Sequence, residues 1–382
     1  MIRVRKDRKM TDVSKLKGSW TPPALPYKIG HGDMPGDKIL IGQQHIRKAN
    51  ALFPPLCSEL SELLSSHPRH RAVVGICGGS GVGKSEIASV LGAYLNARGI
   101  GAYIMSGDNY PRRVPRDNDA ERLRVYRTGG LKALLMSGCY LDEYGETLRD
   151  IWTREQDADP DLIDVFPWMR IYQPAAERSL DAYLGSSAEI DFDEVNGIIS
   201  AFKNGADIIP LKRMGRAPED IFYSRVDFSG VTVLIIEWTH ANSDFLQGID
   251  VPVFLHSTPA ETLAHRRARA RDGKPDSAFI ATVLRLEQTK LEHQAHKAAL
   301  ILSRSLTHAF PSKYGCCRQS LLPKSKLSRS NSQSLSVQGC PFSGRPFPPQ
   351  VISCIHSSVS ASRPSLSAVH AAVWAALPMG EA

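Results

Sequence analysis

One stretch of the sequence combines residue types and spacing that suit the binding of a phosphate chain. Its eight residues match the pattern G-x-x-x-x-G-K-[ST] in full, and they are Gly78, Gly79, Ser80, Gly81, Val82, Gly83, Lys84 and Ser85. In such a loop the backbone N–H groups curl around the phosphates, the lysine reaches the outer oxygens and the last hydroxyl is a ligand for Mg²⁺. The full pattern favours a nucleoside triphosphate site over a glycine-rich turn with only a structural purpose, and it predicts ATP and Mg²⁺ as cofactors.

A carboxylate follows at a position from which it could act on a second substrate. Asp108 lies in the run from Ser106 to Tyr110, directly after an apolar segment that is expected to be a strand. At that edge of a sheet, beside the phosphate loop, an aspartate can accept the proton of a hydroxyl group or help to hold Mg²⁺. An aspartate that only caps a helix or forms a turn is the alternative interpretation.

Apolar runs and the segments between them predict the scaffold that positions these residues. The expected strands are residues 72–77, 102–105, 231–236 and 251–255. Continuous apolar strands are typical of a parallel sheet covered on both faces, and helices are expected at 84–96 and 259–271. Residues 43–66 also have helical spacing, which Pro54 and Pro55 are expected to divide into two short helices. This alternation predicts an α/β protein with the three-layer P-loop NTPase fold and a mostly parallel sheet.

Composition divides the chain into three parts. Residues 1–42 mix charge with Pro and Gly and are expected to form a flexible lead-in, whereas 43–304 are expected to form the P-loop domain. Within that domain, 131–225 exceed the length of a crossover and predict a largely helical insertion over the substrate side. Residues 305–382 are rich in Ser, Pro and Arg and predict a tail of low order, with a frame-shifted end as the alternative because Glu381 is the only acidic residue there.

The distribution of charge argues against a nucleic-acid partner. The formal net charge is +8, but the basic excess lies in residues 1–20 and 305–382, and the part between them is slightly acidic. A nucleic-acid groove needs clustered Lys and Arg. The basic N-terminus is not followed by an apolar run, so no membrane partner is expected, and the seven cysteines include no CxxC pair. A cytoplasmic location is the simplest expectation, and a homo-oligomer is left open.

Four features occur in the order that is seen in the uridine kinase and phosphoribulokinase family. They are the phosphate loop, Asp108 with Tyr110, the strand end Ile235-Ile236-Glu237 and an Arg-rich segment after Phe254. The sequence resembles this family over about residues 70–304, whereas the NKxD pattern of GTPases is absent. The resemblance implies an ATP-dependent small-molecule kinase in which Asp108 is the catalytic base, and Glu237 supports the metal and the acceptor. Ser85, Asp108 and Glu237 are then the expected metal ligands.

The resemblance also implies a lid of arginines over the phosphates. The candidates are Arg266, Arg267, Arg269 and Arg271. Arg267 and Arg271 share a helix face at i,i+4 and are the pair that we expect in the site with Lys84. Where the family has Glu-Gly at the strand end, this sequence has Glu237-Trp238.

The identity of the acceptor is left open by the sequence. A competing resemblance is to adenylyl-sulfate kinase, through Gly107-Asp108-Asn109, the segment 119–124 and the segment 271–274. A nucleotide-binding regulatory protein without a small-molecule acceptor is a further alternative. Arginines after Asp108 and after the insertion suit an anionic or polyhydroxylated acceptor, and an aromatic ring could stack on it. The candidate substrate residues are Tyr110, Arg113, Arg127 and Arg216.

Overall fold

The computed structural model describes residues 12–26, 29–37, 39–66, 71–138, 140, 142–269, 277–303 and 310–311. The predicted lid residue Arg271 lies outside the described residues. The predicted tail 305–382 also lies outside them, apart from a two-residue strand at 310–311.

A mostly parallel sheet forms the centre of the described chain. The strands of the described chain are β1 (Ala72–Gly78), β2 (Ala102–Ser106), β3 (Ile208–Arg213), β4 (Phe222–Asp227), β5 (Val233–Glu237), β6 (Val251–His256), β7 (Leu300–Ser303) and β8 (Phe310–Pro311). β3 and β4 form a separate two-stranded sheet. The described part of the sheet has the order β2-β5-β1-β6-β7-β8, in which β8 is antiparallel to β7 and the other neighbours run parallel. The predicted fold class is confirmed, and the strand order brings the ends of β1, β2 and β5 to one edge.

Helices cover both faces of this sheet. They are α1 (Gln43–Ser66), α2 (Lys84–Ala97), α3 (Pro115–Met136), α4 (Asp142–Thr153), α5 (Leu162–Val165), α6 (Met169–Tyr183), α7 (Phe192–Lys203), α8 (Pro259–Arg269) and α9 (Ala278–Gln294). Val74 and Ile235 point to the layer of α1 and α2, whereas Val73 and Leu234 point to the layer that contains α7. None of the helices among the described residues is long and apolar enough to cross a membrane.

The prediction of two short helices before β1 is wrong, because α1 is continuous through Pro54 and Pro55. A proline inside a helix removes a hydrogen bond and costs about 3 kcal/mol. Along the opposite side of α1, Phe53, Leu56 and Leu60 are fully buried in the core. Burial of each such side chain contributes about 1.5–3 kcal/mol. Tertiary packing therefore outweighs the local preference for a break.

The described part of the N-terminal segment lies against the domain, which differs from the expected flexible lead-in. Leu16 is buried in the same core as α1 and α2. The ring of Trp20 lies 4.2 Å from that of Phe53 and 4.9 Å from that of Tyr94, measured between centroids. The apolar residues of this segment have no regular period, so their contacts are visible only in the folded chain.

The segment between β2 and β5 is largely helical, as predicted, and has a core of its own. Tyr126 of α3 and Tyr172 of α6 are buried in it together with Trp168. The predicted helical stripe from Phe192 to Phe202 corresponds to α7. The antiparallel hairpin β3–β4 at the end of the segment was not predicted from the sequence.

Candidate functional site

The phosphate loop connects β1 to α2, as the sequence pattern predicts. Gly81 and Gly83 have φ angles of 78° and 95°, in the left-handed region that glycine adopts without strain. Neighbouring side chains also exclude a larger residue, because a Cβ at Gly81 would lie 3.0 Å from Cγ of Arg266, and one at Gly83 would lie 2.9 Å from the ring of His45. The loop ends at the N-terminus of α2, where unpaired N–H groups attract an anion.

The hydroxyl and the strand-end glutamate that were predicted to hold a metal meet in the structure. Oγ of Ser85 donates a hydrogen bond to Oε2 of Glu237 at 3.0 Å. The contact forms because β1 and β5 are parallel neighbours whose carboxyl ends share one edge of the sheet. Nζ of Lys84 donates to the carbonyl of Gly79 at 3.2 Å. Lys84 therefore lies over the phosphate loop, where it was predicted to bind phosphate oxygens.

The environment of Glu237 suits a cation. Its side chain is buried, and burial followed by the negative charge of Asp108 raises the pKa of Glu237 to about 8. Lys84 and the hydroxyl of Ser85 act in the opposite direction. A divalent cation would relieve the repulsion between the two carboxylates. No cluster of three His, Cys, Asp or Glu side chains that could hold a metal occurs among the described residues. Magnesium commonly uses fewer protein ligands together with substrate phosphates and water.

Asp108 lies in a short 3-10 turn (Gly107–Asn109) that follows β2. The N–H of Asp108 donates to Oγ of Ser106 at 3.0 Å, and its own side chain is exposed. A Cβ at Gly107 would lie only 1.9 Å from Cγ of Trp238, so this turn requires glycine. Trp238, which stands where the resembled family has glycine, is thus accommodated by Gly107 in the turn after β2.

Arg266 of α8 lies against the phosphate loop, because its Cγ would be 3.0 Å from a Cβ at Gly81. Its side chain is 5% exposed, and its Nη2 donates to the carbonyl of Pro259 at 3.1 Å. Nε and Nη1 are buried and have no hydrogen-bond partner among the described residues. Buried guanidinium donors are normally paired, so a phosphate oxygen would satisfy them. The sequence analysis did not select Arg266, although Thr262 and Arg266 share a helix face at i,i+4 and both approach Gly81.

Among the other predicted lid residues, only Arg267 has a described side chain. Arg267 is exposed on α8, and Arg271 lies outside the described residues. Their role in closing the site stays a prediction.

The four candidate substrate residues do not converge on one pocket. Tyr110 is wholly buried and its hydroxyl donates to Sδ of Met105 at 3.8 Å, so it belongs to the core rather than to a stacking surface. Arg127 donates from Nε and Nη2 to the buried carboxylate of Asp157, at 3.1 and 3.0 Å, inside the insertion. The remaining two residues, Arg113 and Arg216, lie nearer the surface.

Arg113 and Arg216 occupy different surroundings. Nη1 of Arg113 donates to the hydroxyl of Tyr183 at 3.1 Å, and its Nη2 lies 3.7 Å from Oε1 of Glu121. Arg216 is exposed beyond the end of β3. Both assignments stay predictions.

An ion-paired cluster that the sequence analysis missed lies between the phosphate loop and His240. Nε of Arg122 donates to Oε1 of Glu189 at 2.6 Å, and Nη2 donates to Glu287 at 3.2 Å. Glu287 borders one cavity with Gly79 and a second cavity with His240. The partners come from helices and loops far apart in the sequence, so no local pattern could have found the cluster.

Burial and charge set the protonation of this cluster. Burial opposes ionisation of Glu189, but Arg122 and the N–H of Gly185 outweigh it and lower the pKa of Glu189. Burial lowers the pKa of His240 to about 4, although Glu189 and Asp108 act in the opposite direction. At neutral pH the cluster therefore holds a carboxylate, a guanidinium and an uncharged imidazole that can both donate and accept hydrogen bonds.

The sheet order, the glycine loop and the helix that follows it define an α/β protein with the P-loop NTPase fold. No protein-family model matches the chain. Over 249 residues, or 65% of this chain, the sequence is 37% identical to the bifunctional alpha-galactosidase/sucrose kinase AgaSK of Mediterraneibacter gnavus. This relative confirms the resemblance to P-loop small-molecule kinases. The matched region spans only 22% of the relative's length.

Two solved structures have weak likeness to the chain. A possible uridine kinase from Bacillus stearothermophilus is 15% identical, with 65% of this chain and 99% of that chain covered and a TM-score of 0.30. The YGR205w protein is 10% identical, with 69% and 96% covered and a TM-score of 0.38. Likenesses of this size carry no argument about activity.

Proposed function

We propose that the chain is an ATP-dependent kinase that transfers the γ-phosphoryl group to a hydroxyl of a neutral carbohydrate, with sucrose as the first candidate acceptor. The observation that carries this proposal is the distribution of paired and unpaired cations around the phosphate loop and the Asp108 turn. We call the region around Asp108 and His240 the acceptor side. The name of the AgaSK relative, which includes sucrose kinase, supports the choice of sugar.

Cations at the phosphate loop are available for a ligand. Lys84 donates to a backbone carbonyl and makes no ion pair with a described carboxylate, and Arg266 keeps two buried donors without a described partner. Phosphate oxygens would satisfy both groups, because charge-assisted hydrogen bonds are about twice as strong as neutral ones. This side of the cleft suits the triphosphate.

Cations on the acceptor side are neutralised by the protein itself. The pairs are Arg112 with Asp191, Arg113 with Glu121, Arg122 with Glu189 and Glu287, Lys212 with Glu194, and Arg213 with Asp33. An anionic acceptor such as adenylyl sulfate or a sugar phosphate would have to compete with an ion pair to use any of them. For Arg122 and Arg213 this competition would leave the buried carboxylates Glu189 and Asp33 uncompensated. A neutral polyol can instead form hydrogen bonds with paired groups without separating them. The pairing therefore favours an uncharged acceptor over the adenylyl-sulfate alternative.

The described residues support the steps of phosphoryl transfer as follows. The loop from Gly78 to Ser85 holds the phosphates, and Ser85 with Glu237 would hold Mg²⁺, which neutralises phosphate charge during transfer. Asp108, exposed at the mouth of the site, takes the proton of the acceptor hydroxyl. Nε and Nη1 of Arg266 donate hydrogen bonds to the phosphate oxygens, on which negative charge gathers during transfer.

A panel of acceptors tests the proposal. Purified protein with Mg-ATP would be offered sucrose, glucose, fructose, uridine, fructose 6-phosphate and adenylyl sulfate, and ADP release and phosphorylated product would both be measured. We expect product with neutral sugars, sucrose foremost, and little with the anionic acceptors. A preference for adenylyl sulfate or fructose 6-phosphate would contradict the charge argument. ADP release without any phosphorylated acceptor would instead favour a nucleotide-dependent regulatory protein.

A further inference from the structure

A segment of the N-terminal region lies beside the catalytic edge of the sheet, although no sequence motif marks it. We call residues 29–37 the strap. A Cβ at Gly32 would lie 3.0 Å from Oε1 of Glu237 and 3.4 Å from Cβ of Ser106. The backbone of the strap therefore passes directly beside the glutamate that is proposed to hold the metal.

Asp33 is the centre of the strap's contacts with the domain. Its side chain is 9% exposed and accepts hydrogen bonds from four groups. Oδ1 accepts from the N–H of Ser106 and from Nδ2 of Asn109, both at 2.9 Å. Oδ2 accepts from the hydroxyl of Tyr103 at 2.9 Å and from Nη1 of Arg213 at 2.7 Å. One carboxylate thus connects the strap, β2, the turn after it and β3.

Two of the four contacts hold Ser106 and Asn109, which lie on either side of Asp108 along the chain. Ser106 and Asn109 are bound by the same oxygen of Asp33, so the turn between them is held at both ends. Oδ1 of Asn109 also accepts from the N–H of Met214 at 2.8 Å, which connects the turn to the end of β3. A general base is effective only when it is held within hydrogen-bonding reach of the proton that it accepts.

The charge of Asp33 is matched to these donors. Burial raises the pKa of Asp33 although Arg213 and the N–H of Ser106 act in the opposite direction. A buried carboxylate is retained at low cost only when its lone pairs are satisfied. Both oxygens of Asp33 accept hydrogen bonds, so asparagine would place an NH₂ donor in one of the two positions. That donor would face either Arg213 and Tyr103 or the donors of the turn.

We propose that Asp33 is a positioning residue for Asp108, and that the strap is therefore part of the catalytic apparatus. This inference rests on the proposed kinase function, and it adds a segment that the activity would need. Asp33 touches neither phosphate nor acceptor in the proposed mechanism. It acts through the turn that carries the base.

A double-mutant cycle with the full chain tests this role. Asp33→Asn should lower kcat with sucrose about 10- to 100-fold, since small displacements of a catalytic group cost up to about a hundredfold, while KM for ATP changes less than about twofold. In an Asp108→Asn background the same change should lower kcat less than about twofold further, because the base is already absent. The matched control is Asp12→Asn. Asp12 is an exposed carboxylate of the N-terminal region that accepts a hydrogen bond from the N–H of Ser14, and its replacement should leave kcat unchanged. Equal losses in both backgrounds would overturn the positioning role.

A second measurement does not depend on activity. Hydrogen exchange of the peptides that cover 103–110 should become at least about tenfold faster in Asp33→Asn, while exchange in α2 stays unchanged. Unchanged exchange at 103–110 would overturn the inference even if the kinase proposal stands. If the wild-type chain phosphorylates no acceptor, the kinase proposal fails, and the exchange result still decides whether Asp33 holds the turn.

Discussion

Replacing Arg266 by methionine should change stability and nucleotide binding in opposite directions. Methionine keeps the aliphatic contact with Gly81 but removes a guanidinium whose Nε and Nη1 are buried without a described partner. An unsatisfied buried polar group costs about 1–3 kcal/mol, and the lost hydrogen bond to Pro259 is worth about 1 kcal/mol. Because two donors are unsatisfied, the nucleotide-free protein should become more stable by at least about 1 kcal/mol.

Binding of nucleotide should become much weaker in the same variant. Two hydrogen bonds from a charged donor contribute about 1.5–3 kcal/mol each, so the loss of both is about 3–6 kcal/mol. Since about 1.4 kcal/mol corresponds to a factor of ten, the affinity for Mg-nucleotide or the turnover should fall at least about a hundredfold. Titration calorimetry with a non-hydrolysable ATP analogue measures the first quantity, and urea unfolding of the free protein measures the stability.

Arg267→Met is the matched comparison, because the neighbouring side chain is exposed on the same helix. An exposed substitution should alter stability by no more than about 0.5 kcal/mol. If Arg267→Met causes the loss of binding and Arg266→Met does not, the sequence-based choice of Arg267 is right and the geometric reasoning is refuted. Lower stability of free Arg266→Met would show that its guanidinium is satisfied in solution.

Three further predictions concern the edge of the sheet. Asp108→Asn should lower kcat about a hundredfold or more in a steady-state assay and retain binding of the ATP analogue, as expected for loss of a general base; unchanged turnover would remove Asp108 from the mechanism. Gly107→Ala should destabilise the fold by about 1–3 kcal/mol because of the contact with Trp238, and Trp238→Ala in the same chain should restore part of the loss in urea unfolding. Because the pKa of Glu237 is raised to about 8, its contribution to the free energy of unfolding should be complete below pH 4.5 and should decline as the pH rises towards 8. In Glu237→Gln this decline should be flatter when unfolding is measured at several pH values without Mg²⁺. An unaltered slope would contradict the raised pKa.

The parts of the fold that the sequence predicts correctly depend on local signals. The strand β1 is a continuous apolar run, and the glycine pattern after it fixes both the loop and the start of α2. The break at Pro54 and Pro55 was predicted wrongly because the proline rule considers one helix alone. Burial of the opposite side of α1 decides the outcome, and that information is not local.

The site could be predicted where a local pattern or the family resemblance pointed to it. The phosphate loop is one segment, and Ser85 and Glu237 were expected together as metal ligands because the resemblance implied it. Choosing between Arg266 and Arg267 requires knowledge of which side of α8 packs on the loop. The sequence of an Arg-rich helix does not contain that information. Asp33 collects its donors from residues between 103 and 213, so its role exists only in the folded chain.

Two buried groups lie at different points of the phosphate loop, and one would bind a cation whereas the other would bind an anion. Magnesium nucleotide would supply both partners. Glu237, next to Ser85, resists ionisation because of burial and Asp108, whereas Arg266, against Gly81, keeps donors unsatisfied. A cation would favour the ionised form of the first, and phosphate oxygens would pair with the second. ATP without Mg²⁺ satisfies only Arg266 and brings more negative charge towards Glu237. The stabilisation by ATP should therefore depend strongly on Mg²⁺, and at a hundred times the dissociation constant of the complex it should reach about 2.7 kcal/mol.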